Sequence, residues 1–200
     1  MYKLYSMRRS GNSYKVRLAL AQLDIAHELV EIDILQGETR TPEFLKMNPS
    51  GHVPVLEVTP GNYIAESNAI LWYFGEGTRF LPEDAYERAQ VLQWMFFEQY
   101  EHEPALAVAR FWLSYSGKPD EFADRLPGRQ AAGRRVLAAM DGHLEGRSYL
   151  VGDSFTIADI SLYAYTHVAP EAGVELEPYG AVRAWLARVA AQPRHVPIDA

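Results

Sequence analysis

The residues whose types and spacing could do chemistry lie in three short stretches: Ser10-Gly11-Asn12-Ser13, His52-Val53-Pro54 and Glu66-Ser67-Asn68. Glu66 and Ser67 directly precede an apolar run, Ile70, Leu71, Tyr73 and Phe74, that reads as a helix. An acid and a hydroxyl at a helix start, beside the first free N–H groups, suit an anionic, peptide-like ligand. Pro54 holds Val53 extended, which frees the N–H and C=O of Val53 to pair with an added extended ligand; the bond between them is a place for a cis peptide. The plain alternative for this stretch is a capped helix after a hairpin, with no ligand. The chain contains no cysteine, so thiol chemistry here must use a thiol brought by a ligand.

The elements that must position these residues follow from local pattern. Tyr2 to Ser6 reads as a strand, Met7 to Asn12 as a polar loop, and Ser13 to Leu23 as an amphipathic helix with Val16, Leu18, Ala19, Leu20 and Leu23 as its apolar set. A second strand spans His27 to Ile32 and a short helix Pro42 to Met47; Val55 to Thr59 and Tyr63 to Ala65 form a hairpin around Pro60-Gly61-Asn62. The order is β-α-β-α-β-β-α. With right-handed crossovers this is an α/β thioredoxin-like domain, a small mixed sheet with helices on its faces.

Beyond it the chain reads as all-helical. Ala85 to Leu113 is a long helix kinked at Pro104, Asp120 to Leu144 returns with a break at Pro127-Gly128, and Tyr179 to Ala191 is the last amphipathic helix. Gly152 to Asp159 carries a helix start, with Thr156 as N-cap and Asp159 as reciprocal acceptor. It is a folding element without chemistry. Glu101-His102-Glu103 points around a helix and reads as a polar face, because successive helical residues do not converge. The expected division is a first domain over 1–77, a linker over 78–85 and a helical domain over 86–200.

Taken together, the strand and polar loop, N-P-x-G-x-V-P-x-L from Asn48, E-S-x-A-I from Glu66 and the helical second half with G-D-S-F-T-I-A-D resemble the cytosolic glutathione S-transferases over nearly the whole chain. The resemblance implies a glutathione site. Glu66 would take the γ-glutamyl ammonium and Ser67 its α-carboxylate, Val53 before cis-Pro54 would pair with the cysteinyl backbone, and His52 would reach the glycyl carboxylate; Asn68 and Arg17 are weaker contacts. The electrophile would meet Met7, Arg8, Tyr100, Arg110 and Phe111, with Glu103 and Tyr115 also eligible by position.

In thioredoxin-like proteins a reactive Cys-x-x-Cys pair sits where this chain has Ser-x-x-Ser. Serine is too basic to be the ionised nucleophile; its natural role is to donate a hydrogen bond to a bound thiolate. The loop is similar to serine-type transferases of the zeta and delta classes, whose catalytic hydroxyl falls on Ser10. Ser13 reads instead as the N-cap of the first helix, though either serine could hold the thiolate. Gly11 stands where some related bacterial enzymes carry a cysteine, which removes mixed-disulfide chemistry at that position.

Composition agrees. Two hundred residues at 48% hydrophobic content support two compact domains, and a net charge of −7 argues against nucleic-acid binding. Arg8, Arg9, Lys15 and Arg17 nonetheless cluster near the site, as a ligand with carboxylates requires. No apolar run is long enough for a membrane span and no basic-then-apolar leader is evident, so the expected compartment is the cytoplasm. No metal signature occurs. The reading is a glutathione transferase acting on a small electrophile as a homodimer. The alternatives are a glutathione-dependent disulfide reductase or peroxidase, a zeta-like isomerase, or a non-catalytic carrier or interaction module with the same fold.

Overall fold

The computed structural model describes residues 1–200, which divide into two compact units: Met1–Thr78 together with Gln192–Ala200, and Arg79–Ala191. The boundary between Thr78 and Arg79 lies within the expected 78–85 linker, and the last nine residues group with the first unit. No helix is long and apolar enough to cross a membrane.

The first unit is built on a four-stranded sheet in the order β2-β1-β3-β4. β1 (Tyr2–Ser6) pairs in parallel with β2 (His27–Glu31), Leu4 opposite Leu29, and antiparallel with β3 (Val55–Thr59), Leu4 opposite Leu56. β4 (Asn62–Ala65) returns antiparallel along β3. The parallel β1–β2 pair requires a crossover, which α1 (Gly11–Leu23) supplies. Val16 and Leu20 of α1 and Ile70 and Phe74 of α3 (Ser67–Gly75) share a core with Leu4 and Leu56. Both helical pairs are spaced i, i+4, so each helix buries one stripe on the sheet. α2 (Pro42–Met47) is capped by the Thr41 hydroxyl, which accepts the Phe44 N–H.

Residues 192–200 run back along α1. Tyr14 Oη donates to the Val196 carbonyl at 2.7 Å, and Arg17 donates to Ala200 O at 2.6 Å, to Ile198 O at 2.8 Å and to the Arg8 carbonyl. Arg194 pairs with Asp24 at 2.9 Å. Arg17, buried and committed to backbone carbonyls, is thus a fastening for the tail and the Arg8 loop.

The second unit holds α4 (Ala85–Phe97), α5 (Glu103–Ser114), α6 (Leu126–Leu144), α7 (Ile157–Thr166) and α8 (Gly180–Ala190). The expected single helix over 85–113 is not one regular α-helix. A wide turn, Glu98–His102, separates α4 from α5, and Pro104 sits in the first turn of α5, where its missing N–H costs nothing. Likewise Pro127 opens α6 instead of breaking a longer helix. α5 and α6 approach closely at Gly133, where a β-carbon would lie 2.9 Å from Leu106 Cδ2. α7 is buried along its whole length, and its capping box is present as the sequence predicts. Asp159 Oδ1 also accepts the Leu150 N–H at 3.0 Å and Trp185 Nε1–H at 2.8 Å, which ties α7 to α8.

Candidate glutathione site

The first strand and α1 are joined by a loop that ends on Ser10. Ser10 N–H donates to Met7 O at 3.0 Å, and Ser10 itself is extended, φ −70°, ψ 124°. That conformation makes Ser10 the N-cap: its Oγ accepts the Ser13 N–H at 3.3 Å. The expectation that Ser13 caps the helix is therefore corrected; the helix begins two residues earlier, at Gly11. Ser13 is fully buried, and its Oγ accepts the Met7 N–H at 3.3 Å, pinning the loop to the helix. Ser10 is half-buried, and because its oxygen accepts from Ser13, its own hydrogen is directed elsewhere. The loop is held on its far side by Glu31, whose carboxylate accepts the Arg8 N–H at 2.7 Å.

The Val53–Pro54 peptide bond is cis. Val53 is half-buried and precedes the ladder, whose first paired residue is Val55. Asn48 shapes the approach: its Nδ2 donates to His52 O at 2.8 Å while its Oδ1 accepts from Ser50 N–H and Ser50 Oγ. The His52 side chain is exposed.

At the start of α3, Glu66 has φ 69° and ψ 115°, a region that residues other than glycine avoid at a cost of about 1–3 kcal/mol. The consequence is local. Glu66 is exposed while the next residue, Ser67, is 3% exposed, and Asn68 is half-buried. Lys15 Nζ donates to Ser67 Oγ at 3.3 Å, and Ser67 Oγ donates to Asn12 Oδ1 at 3.2 Å. Asn12 and Lys15 lie on α1, two and five residues beyond Ser10, so the first turns of α1 and the start of α3 are tied together through Ser67. Of the four clustered cations, Lys15 reaches Ser67, Arg17 fastens the tail, Arg9 lies 3.5 Å from Asp199 and Arg8 is exposed.

Tyr5, the other phenol near the loop, is held above the usual tyrosine range by burial, then by the charge of Glu57 and by Tyr63. In the second unit, Tyr100 is 82% and Phe111 38% exposed, whereas Arg110 is buried, donating to Glu171 Oε2 at 2.9 Å and to Tyr115 Oη at 2.7 Å. His102 is fully buried against Thr166 Oγ1 at 2.8 Å. This corrects the polar-face expectation for residues 101–103: the wide turn inserts a residue and rotates His102 inward. No group of three or more acidic or histidine side chains converges as a metal site.

Residues 1–76 match the N-terminal domain of glutathione S-transferases and residues 105–193 the C-terminal domain. The chain belongs to the glutathione S-transferase family. It is 52% identical to a possible glutathione S-transferase from Rhodopseudomonas palustris, covering 100% of this chain and 98% of that one with a TM-score of 0.97. It is 27% identical over 189 residues to the disulfide-bond oxidoreductase YfcG of Escherichia coli, covering 91% of this chain and 87% of the relative. It is also similar to Ure2p in complex with glutathione, at 26% identity and TM-score 0.83, covering 96% and 90% of the two chains. The fold is therefore that of glutathione transferases, a thioredoxin-like unit followed by a helical one.

Sequence reasoning singled out Ser10, Ser67 and the Val53-Pro54 bond, but did not find the roles of Asn12, Lys15 and Asn48. The available signal for Lys15 was its position: a lysine flanked by Tyr14 and Val16, inside a helix whose neighbours are apolar.

Proposed function

We propose that the protein is a glutathione transferase that binds glutathione, holds its sulfur as the thiolate and directs it at a small electrophile. The Ser10 hydroxyl donates to the sulfur; Glu66 takes the γ-glutamyl ammonium, Ser67 and the first N–H groups of α3 take the α-carboxylate, and Val53 pairs with the cysteinyl backbone. His52 reaches the glycyl carboxylate. In the reaction the thiolate's electron pair forms the new S–C bond, and the electrophile's leaving group departs with its bonding pair or, for an enone, the adjacent carbon takes a proton. Catalysis rests on positioning and on stabilising the charged nucleophile. Lowering a thiol pKa by two units corresponds to about 2.7 kcal/mol.

The observation that carries this reading is the polarity of Ser10. Its oxygen accepts the Ser13 N–H with one of its two lone pairs, and that bond leaves the hydroxyl hydrogen to be donated to a ligand, which is what a thiolate needs. The likeness to a disulfide-bond oxidoreductase supports a second reading, glutathione-dependent disulfide reduction at the same site, in which the thiolate attacks sulfur instead of carbon. Calorimetry with glutathione, followed by turnover on halogenated aromatics, enones and mixed disulfides, tests both. Binding with conjugation of the carbon electrophiles is expected. Absence of glutathione binding contradicts both readings, and turnover confined to mixed disulfides favours the second.

A further inference from the structure

Lys15 is a cation with no exposed surface. Its ammonium carries donors and no acceptor, so in its contact with Ser67 Oγ the serine oxygen must accept. The Ser67 hydrogen is thereby turned away from Lys15, toward Asn12 Oδ1, which receives it at 3.2 Å, or toward an anion arriving at the start of α3. A charge-assisted bond to the oxygen also polarises the O–H, and burial strengthens that effect because little water screens it.

We infer that Lys15 is a positioning residue for the ligand's γ-glutamyl carboxylate: it fixes Ser67 as a donor, with Asn12 holding the hydrogen until the carboxylate replaces it. The inference rests on the glutathione reading and gives that site a specificity determinant. The pair of Lys15 and Ser67 selects a carboxylate at this end of the ligand over a group that cannot accept.

The test compares glutathione with γ-aminobutyryl-cysteinylglycine, the same molecule without that one carboxylate, by calorimetry on the wild type and on Lys15→Met. Thermal melts accompany each variant. Glutathione affinity should fall roughly 10-fold in the variant, as expected on weakening one bond to a charged group, while affinity for the analogue stays the same. Lys15→Arg, which keeps a charged donor, should restore part of the loss. Equal weakening of both ligands, or unchanged glutathione binding, overturns the role. Failure of the wild type to bind glutathione removes the ligand reading and this inference with it, whereas wild-type binding with an insensitive variant removes the inference alone. Should Lys15→Met not fold, the Lys15 Nζ resonance of the unmodified protein supplies the answer by heteronuclear NMR: it should move on adding glutathione and stay in place with the analogue, and the same movement with both overturns the inference.

Discussion

Ser10 Oγ accepts the Ser13 N–H at 3.3 Å, so one side chain both caps α1 and faces the site. A cap acceptor uses one lone pair of a hydroxyl, and its hydrogen is free to turn to a second partner. The two serines thus make different bonds: Ser10 caps α1, and Ser13 secures the loop by accepting the Met7 N–H. On the proposed reading Ser10 is the donor to the thiolate.

Ser13→Ala should lower stability by about 1–3 kcal/mol, because the Met7 N–H loses its buried acceptor. The bound thiol should titrate nearly as in the wild type. Thermal melts together with the titration check this; a large shift of the titration with an unchanged melt would reverse the two roles.

Ser67→Ala should weaken glutathione binding by about 1.5–3 kcal/mol, the usual loss for a hydrogen bond to a charged group. The fold should persist, since α3 keeps the Ile70 and Phe74 core contacts. Calorimetry at neutral pH measures it, and an unchanged affinity would return this helix start to a purely structural role.

Asp159 makes stability depend on pH. Burial pushes its carboxyl up to about 6 from 3.8, against the opposing pull of donors from Thr156, Trp185 and Leu150. Since the folded state binds the proton more tightly than the unfolded chain, the contribution of Asp159 is whole below about pH 4 and is lost as pH rises through about 6. The loss is of the order of 3 kcal/mol. Asp159→Asn removes the titration, so the stability gap between wild type and variant should narrow over that window in denaturant melts. A constant gap contradicts the shift.

The protein should be a homodimer. Tyr86, Phe96 and Tyr100, in α4 and the turn after it, are 72%, 68% and 82% exposed, and large apolar side chains left on one segment are candidates for an association surface. Sedimentation should give twice the chain mass of 22.6 kDa, and Phe96→Glu with Tyr100→Glu should shift the equilibrium to monomer. A monomer at all concentrations in the wild type contradicts the prediction.

What the sequence made legible was local. Thr156 and Asp159 announce the start of α7 because both partners of a capping box lie within four residues. The order of strands and helices along the first unit, and Val53-Pro54 as a place for a cis bond, were legible from equally local patterns. The cap of α1 was not: Ser10 and Ser13 are equally good capping residues, and the choice is made by the turn from Met7 to Ser10. The phase of Glu101 to Glu103 was lost because a wide turn has no pattern distinguishing it from continuous helix. The tail was hidden for a different reason. Tyr14 and Arg17 bond to backbone carbonyls some 180 residues away, and a carbonyl carries no residue signature. Lys15 and Asn12 likewise acquire their roles from Ser67, across the fold and not along the chain.

The most direct test of the account is ultraviolet titration of the thiol of bound glutathione in the wild type and in Ser10→Ala. In the wild type the thiol should titrate about two units or more below the value near 8.5 of an unperturbed cysteine. Ser10→Ala should raise that midpoint by about 1–2 units and cut turnover at neutral pH about 10- to 100-fold, with binding little changed. A wild-type midpoint equal to that of free glutathione, or one that Ser10→Ala does not move, contradicts the claim that Ser10 holds the thiolate.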